Sequence, residues 1–140
     1  MLRHIVYIEG NIGTGKSTFV DLLTKYIANF RKSGRFSPKL IQEPVDEWMT
    51  TFDSDGKNIL ERFYEDQDRW SFTFQMNSFI SRTKKIQDEV EKEDTEAIGF
   101  QLDCPLRQAL FVERSVYTDR YVFAENCYEN SNMTKMEYDI

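Results

Sequence analysis

Hydrophobic positions along the chain follow two rhythms. Near the amino terminus, Ile5-Val6-Tyr7-Ile8 is a short continuous apolar run, which predicts a strand buried on both faces, as in a parallel sheet. After a glycine-rich turn, Phe19, Leu22, Leu23, Tyr26, Ile27 and Phe30 recur at helical spacing, predicting an amphipathic helix that ends near Arg31. Residues 32–39, with Gly34 and Pro38, read as a loop, and Leu40-Ile41-Gln42 as a short second strand closed by Glu43-Pro44. A polar loop is expected over 50–57, a short helix over 59–65, and a long helix over 68–93 with Phe72, Met76, Phe79, Ile86 and Val90 as its core stripe. Residues 94–108, with Gly99 and Pro105, read as a loop. Ala109-Leu110-Phe111-Val112 is the third strand, and a helix follows it to about Glu129. Strands alternate with helices throughout and no internal repeat appears, so the expected fold class is α/β: a three-layer domain on a parallel sheet.

Composition narrows the partners. The chain has 140 residues, 40% of them hydrophobic and 14% aromatic, enough to build a core and too apolar for disorder. The formal net charge is −6, which repels a phosphate backbone, and the short basic pairs Arg31-Lys32 and Lys84-Lys85 do not reverse that; no nucleic acid polymer is expected as partner. Cys104 and Cys127 stand far apart without a zinc-ligand spacing and read as reduced, partly buried small hydrophobes. With neither a signal-like segment nor a long apolar run, the expected setting is cytoplasmic and away from membranes.

The turn after the first strand carries the clearest chemistry. Gly10-Asn11-Ile12-Gly13-Thr14-Gly15-Lys16-Ser17 fits GxxxxGK[ST] without mismatch. Glycines let successive backbone N–H groups converge on phosphate oxygens, and the following helix adds its positive amino-terminal end. Lys16 reaches the β- and γ-phosphates and the Ser17 hydroxyl ligates Mg²⁺. The flanking strand and amphipathic helix are the context that separates this motif from a chance glycine-rich turn. By itself it implies nucleotide binding and does not distinguish a GTPase, an ATPase and a small-molecule kinase.

Acidic and basic residues at the strand ends make that distinction. Ligands of open α/β sheets bind beyond the carboxyl ends of the strands, where Glu43 follows the second strand and Glu113-Arg114 the third. Phosphoryl transfer to a hydroxyl needs a base, a metal ligand and positive charge on the moving group. Glu43 is the candidate base, Glu113 the magnesium-site carboxylate, and Arg114 the positive charge. Each alone reads equally as a solvated side chain or surface ion pair. A GTPase would place Asp-x-x-Gly after the third strand, where this chain has Glu113-Arg114-Ser115-Val116.

On the long helix, Gln75, Ser78 and Arg82 stand at i, i+3 and i+7, one face apart from the Phe72/Met76/Phe79 stripe. Gln offers donor and acceptor, suiting a nucleobase edge. Asp119 and Phe123 lie four apart on the last helix, placing a ring that can stack on a base and a carboxylate that can pair with Arg82. Spacing alone equally allows surface or core filler.

These motifs together resemble the deoxynucleoside kinases, the group of deoxycytidine and deoxyguanosine kinases and their insect and viral relatives. Ile8-Glu9-Gly10-Asn11-Ile12 with Gly15-Lys16-Ser17-Thr18-Phe19-Val20 resembles the family's opening; Glu43-Pro44-Val45 with Trp48 its catalytic-base motif; Arg69-Trp70-Ser71-Phe72-Thr73-Phe74-Gln75 its substrate helix; Glu113-Arg114-Ser115-Val116-Tyr117-Thr118-Asp119-Arg120-Tyr121 its Glu-Arg-Ser motif. The resemblance implies ATP-dependent phosphorylation of a deoxynucleoside 5′-hydroxyl, with ATP and Mg²⁺ held by residues 10–18, Thr18 included, and by Glu113. Glu43 would deprotonate the 5′-hydroxyl and Arg114 contact the 5′-oxygen region. Tyr64 would hold the 3′-hydroxyl, Gln75 read the base edge between Phe74 and Phe123, and Trp48 wall the pocket. Arg82 with Asp119 resembles members that take cytosine or purine bases rather than thymine, and Ser78 most resembles the deoxyguanosine kinase branch. The complete family form implies a homodimer.

Family members continue for about another hundred residues by resemblance, and Thr134-Lys135-Met136-Glu137 is a capping-box pattern announcing a helix at the chain's end. The expectation is therefore a single, incomplete kinase domain over 1–140, its sheet stopping after three strands and its turnover poor on its own. Two other readings remain open: a nucleotide-binding remnant without turnover, and a nucleoside monophosphate kinase.

Overall fold

The structure, a computed structural model, describes residues 3–31, 36–98 and 107–140. Gly34, Cys104 and the 99–106 part of the expected loop fall outside them. The chain divides into two compact units: residues 1–43 with 86–115, and residues 44–85 with 116–140.

The first unit is built on a parallel sheet. Strands β1 (Arg3–Ile8), β2 (Phe36–Ile41) and β3 (Arg107–Glu113) lie in the order β1-β3-β2. Val6 pairs in register with Phe111, Ile8 with Glu113, and Ile41 with Val112. The middle strand supplies the core: Leu110 and Val112 are 0% and 1% exposed. Full burial of such a side chain contributes about 1.5–3 kcal/mol. Helix α1 (Lys16–Arg31) connects β1 to β2 and packs on β2.

Three expectations are corrected in this unit. The β1 run is not buried on both faces, because Ile5, Val6 and Tyr7 are each 41–43% exposed. Among the described residues β1 is an edge strand with one neighbour, and α1 lies chiefly on β2, so β1 is less covered than the central β3. On α1, packing selects Val20 and Ile27 for burial and leaves Phe19, Leu22 and Tyr26 exposed. Apolar residues occupy much of that helix's circumference, so periodicity alone does not choose the buried face. Strand β2 also begins four residues earlier than Leu40. Pro38 falls within β2, an edge strand among the described residues, which is the setting where a strand tolerates proline.

The second unit is helical: α2 (Val45–Thr50), α3 (Ile59–Glu65), the first part of α4 (Gln67–Ile98), α5 (Val116–Thr118), a π segment (Asp119–Ala124), α6 (Glu125–Glu129) and α7 (Lys135–Asp139). Helix α2 occupies a stretch the sequence left without regular structure, with the buried Pro44 at its N-cap. Helix α3 opens on a capping box, in which Asn58 Oδ1 accepts from Glu61 N–H (2.9 Å) and Glu61 Oε2 from Asn58 N–H (2.8 Å). Thr134 and Glu137 form the expected box on α7. Helix α4 runs five residues past the predicted end. The expected continuous helix after β3 is instead interrupted by the π segment, an insertion that four-residue periodicity does not announce. Ala124, Cys127 and Met133 are the buried centre, with Phe63, Phe72 and Tyr138 packed around them. No helix of the described residues is long and apolar enough to cross a membrane.

Candidate active site

Each unit gathers its own group of polar side chains. In the first, β1 runs into the phosphate-type loop, where Gly13 and Gly15 adopt φ of 81° and 85°, a region open to glycine and disfavoured for residues with a Cβ. Asn11 braces the turn: its carbonyl accepts from Thr14 Oγ1 (2.9 Å) and its Oδ1 from Ile12 N–H (2.8 Å). Helix α1 starts at Lys16, so its unpaired amides and positive end face the loop. An open hollow of 580 Å³ lies alongside, lined by Gly10, Thr14, Gly15 and Lys16 with parts of β1 and Phe19. Ser17 and Thr18 stand exposed on the helix's first turn.

The strand ends bring four charges together. The Lys16 ammonium is paired with Glu113 Oε1, both side chains about nine-tenths buried. Glu113 Oε2 accepts from the Glu43 N–H at 3.3 Å. The Arg114 guanidinium meets both Glu43 carboxylate oxygens, at 3.3 and 3.5 Å. Burial pushes the Glu113 carboxyl up, but Lys16, the Glu43 amide and the Arg114 charge outweigh it and hold Glu113 below the usual carboxylate range. Arg114 sits at φ 61°, a left-handed conformation that costs a non-glycine residue on the order of 1–3 kcal/mol and is characteristic of functional sites. All of this lies at the carboxyl ends of β1, β2 and β3, as the parallel topology requires.

The second unit contains the candidate base-reading group. Arg82 and Asp119 form a two-point ion pair and are 2% and 4% exposed. Gln75 is 8% exposed and its Nε2 lies 3.9 Å from Cys127 Sγ. Ser78 is buried, its carbonyl accepting from Ser81 Oγ at 3.1 Å. Trp48 is buried, donates from Nε1 to Ser81 Oγ (2.9 Å), and stands edge-on to Phe74 at 5.3 Å; Phe74 stacks on Phe63 at 4.7 Å. Phe123 is half-buried on the π segment. Tyr64 differs from the others: it is 68% exposed, with its ring against Phe63.

Several members of these groups were not singled out from sequence. Ser81 and Phe63 fasten Trp48 and Phe74 across separations of 33 and 11 residues, which no local pattern encodes. Glu9 accepts the Ser115 N–H at 3.0 Å across 106 residues; the sequence marked it only as the residue before Gly10 in the stretch Ile8-Glu9-Gly10-Asn11-Ile12, without a role.

The residues fit a nucleoside triphosphate and magnesium. Left-handed glycines, a helix start and an ammonium suit polyphosphate. Among the described residues no group of three or more His, Cys, Asp or Glu is poised for a metal. Magnesium needs none, since it commonly takes one or two protein oxygens and completes its shell with phosphate and water. Glu113 and Ser17 are oxygen donors of that kind.

A family model described as deoxynucleoside kinase matches residues 6–140. Deoxycytidine kinase of Bos taurus is 35% identical, the match covering 96% of this chain and 50% of that protein. Deoxycytidine kinase of Homo sapiens is 34% identical with the same coverages, and the mitochondrial deoxyguanosine kinase of Xenopus laevis is 32% identical over 95% of this chain and 48% of its own length. The chain spans about half the length of the curated relatives it matches.

Proposed function

The chain belongs to the deoxynucleoside kinase family, and from that premise we propose that it serves the ATP- and Mg²⁺-dependent phosphorylation of a deoxynucleoside 5′-hydroxyl, as part of a single kinase domain spanning 1–140. The observation that carries the reading is the charge group Lys16–Glu113–Glu43–Arg114 at the strand ends beside the phosphate-type loop. When bound, ATP with magnesium supplies the phosphoryl group. Lys16 and the loop amides from Gly10 to Thr18 hold its phosphates, with Ser17 and Glu113 as metal ligands. Glu43 takes the proton from the 5′-hydroxyl, and Arg114, already against Glu43, steadies the carboxylate and the developing charge at the 5′-oxygen.

Substrate recognition is assigned to the second unit. Gln75 reads the base edge, Phe74 and Phe123 bracket the ring, Trp48 walls the pocket and Tyr64 takes the sugar 3′-hydroxyl. The buried Arg82–Asp119 pair with Ser78 favours guanine, adenine or cytosine, because a thymine methyl needs apolar room. Relatives named deoxycytidine kinase and deoxyguanosine kinase support this reading. A homodimeric, cytoplasmic salvage enzyme is the setting we assign.

The test is to incubate the chain with MgATP and, separately, each deoxynucleoside and each deoxynucleoside monophosphate, and to separate the products. Monophosphate formed from deoxyguanosine, deoxyadenosine or deoxycytidine ahead of thymidine is expected. Nucleotide binding without product would identify a remnant that binds and does not turn over. Diphosphate formed from the monophosphates would point to a nucleoside monophosphate kinase.

A further inference from the structure

The turn that carries Arg114 is held by the residue that directly follows the neighbouring strand β1. Arg114 is left-handed at φ 61°, a conformation that its Cβ disfavours and that neighbours must enforce. Two successive amides of this turn donate to two successive residues at the end of β1. Arg114 N–H donates to the Ile8 carbonyl at 3.1 Å, and Ser115 N–H to Glu9 Oε1 at 3.0 Å. The first bond extends the parallel ladder and is available whatever side chain stands at position 8. The second exists because residue 9 carries a carboxylate. Ser115 is 4% exposed, so its amide is far from water, and a charged acceptor there forms a stronger bond than a neutral one. Glu9 itself is exposed, so truncating its side chain opens no buried cavity.

We propose that Glu9 is a positioning residue for phosphoryl transfer: by holding the Ser115 amide it fixes the left-handed turn, and so keeps the Arg114 guanidinium on Glu43. The inference rests on the kinase reading above. It joins the residue directly before the phosphate-type loop to the candidate base in an unbroken chain, Glu9–Ser115–Arg114–Glu43, within one unit. Glu9 acts through Arg114, so its removal should weaken the chemical step and spare nucleotide affinity, which Lys16 and the loop amides supply.

The experiment uses the whole chain in three forms, native, Glu9→Ala and Glu9→Gln. The first readout is the Ser115 amide by NMR. In the native chain its proton shift should follow the titration of a carboxyl group, and in Glu9→Ala its exchange protection should fall at least about tenfold, as loss of a hydrogen bond to a charged group implies. The second readout sets turnover against ATP affinity. Glu9→Ala should lower kcat about tenfold or more with ATP affinity within about threefold, while Glu9→Gln, which keeps an acceptor oxygen, should recover most of the loss. An unchanged Ser115 amide in Glu9→Ala, a parallel fall in kcat and ATP affinity, or a Gln variant as impaired as Ala would each overturn the proposal. If Glu9→Ala does not fold, Glu9→Gln decides: its neutral acceptor should shift the Ser115 amide proton and lower its exchange protection relative to the native chain, and an unchanged amide would overturn the proposal. Absence of turnover in the native chain would instead defeat the kinase reading, and the amide measurement keeps the two failures apart.

Discussion

Arg82 and Asp119 meet edge to edge in the second unit, Nε to Oδ2 at 2.7 Å and Nη2 to Oδ1 at 3.1 Å, with 2% and 4% of their surfaces exposed. A planar guanidinium against a carboxylate satisfies both groups in a fixed orientation, which a lysine in place of Arg82 could not reproduce. The pair has a cost as well as a use, because both charges have left water.

Removing one partner should therefore be far worse than removing both. Asp119→Ala leaves a buried guanidinium facing an empty site and should cost about 3–5 kcal/mol in chemical denaturation. The double variant Arg82→Met/Asp119→Leu should recover most of that, since well-packed apolar replacements of buried pairs are often neutral or better. Equal destabilisation by the single and double variants would show that the ion pair is not what holds these positions.

Lys16→Ala should have two separable effects, because its ammonium faces Glu113 as well as the loop. ATP affinity should fall at least about tenfold, roughly 1.4 kcal/mol, on loss of the phosphate-binding charge. The melting temperature should also fall, because Glu113 loses its cation in a largely buried setting. Adding Glu113→Gln should restore the melt without restoring ATP affinity. Calorimetric titration and a thermal melt measure the two separately, and unchanged ATP binding in Lys16→Ala would remove the loop from the site.

What the sequence disclosed and what it hid divide along physical lines. The glycine-rich turn after β1 and the meeting of Glu43 and Glu113-Arg114 were legible because their places depend on short-range order: a strand, a turn, and the carboxyl ends of parallel strands. The parallel sheet followed from the same alternation. Burial was less legible. Gln75, Ser78 and Arg82 on α4 are almost wholly buried while Phe79, read as core, is 42% exposed. Helical periodicity defines faces, and the neighbours decide which face is covered. Arg82 goes inside because Asp119 meets it, a contact made 37 residues away and set up at a π segment that four-residue spacing does not reveal. The left-handed Arg114 was equally hidden, since nothing local distinguishes it from any arginine after a strand.

Glu43→Gln should separate chemistry from binding. The amide keeps the size of the carboxyl and some of its contact with Arg114 but cannot take a proton. If Glu43 is the general base, kcat should fall about 10²–10⁴-fold, with deoxynucleoside affinity changed only a few-fold. An unchanged kcat would remove Glu43 from the mechanism.

Acid should loosen the first unit through Glu113. Burial raises the pKa of this carboxyl, while Lys16, the Glu43 N–H and Arg114 lower it, and the balance leaves it below its ordinary 4.5. A group with a depressed folded-state pKa contributes stability that is fully present above the unfolded-state value and is lost as pH falls through the folded-state value. Native stability should thus be level in this respect from neutrality down to about pH 5, then decline as Glu113 is protonated and Lys16 loses its partner. Glu113→Gln removes the titrating group. The variant should be less stable at neutral pH, where the Lys16 pair is gone, and its stability should fall less steeply between about pH 5 and 3, so that the two curves converge in acid. Urea denaturation of both proteins across that range measures the difference directly. Parallel curves, with the native advantage undiminished at low pH, would show that the Lys16–Glu113 pair contributes nothing to the stability of the charge group at the strand ends.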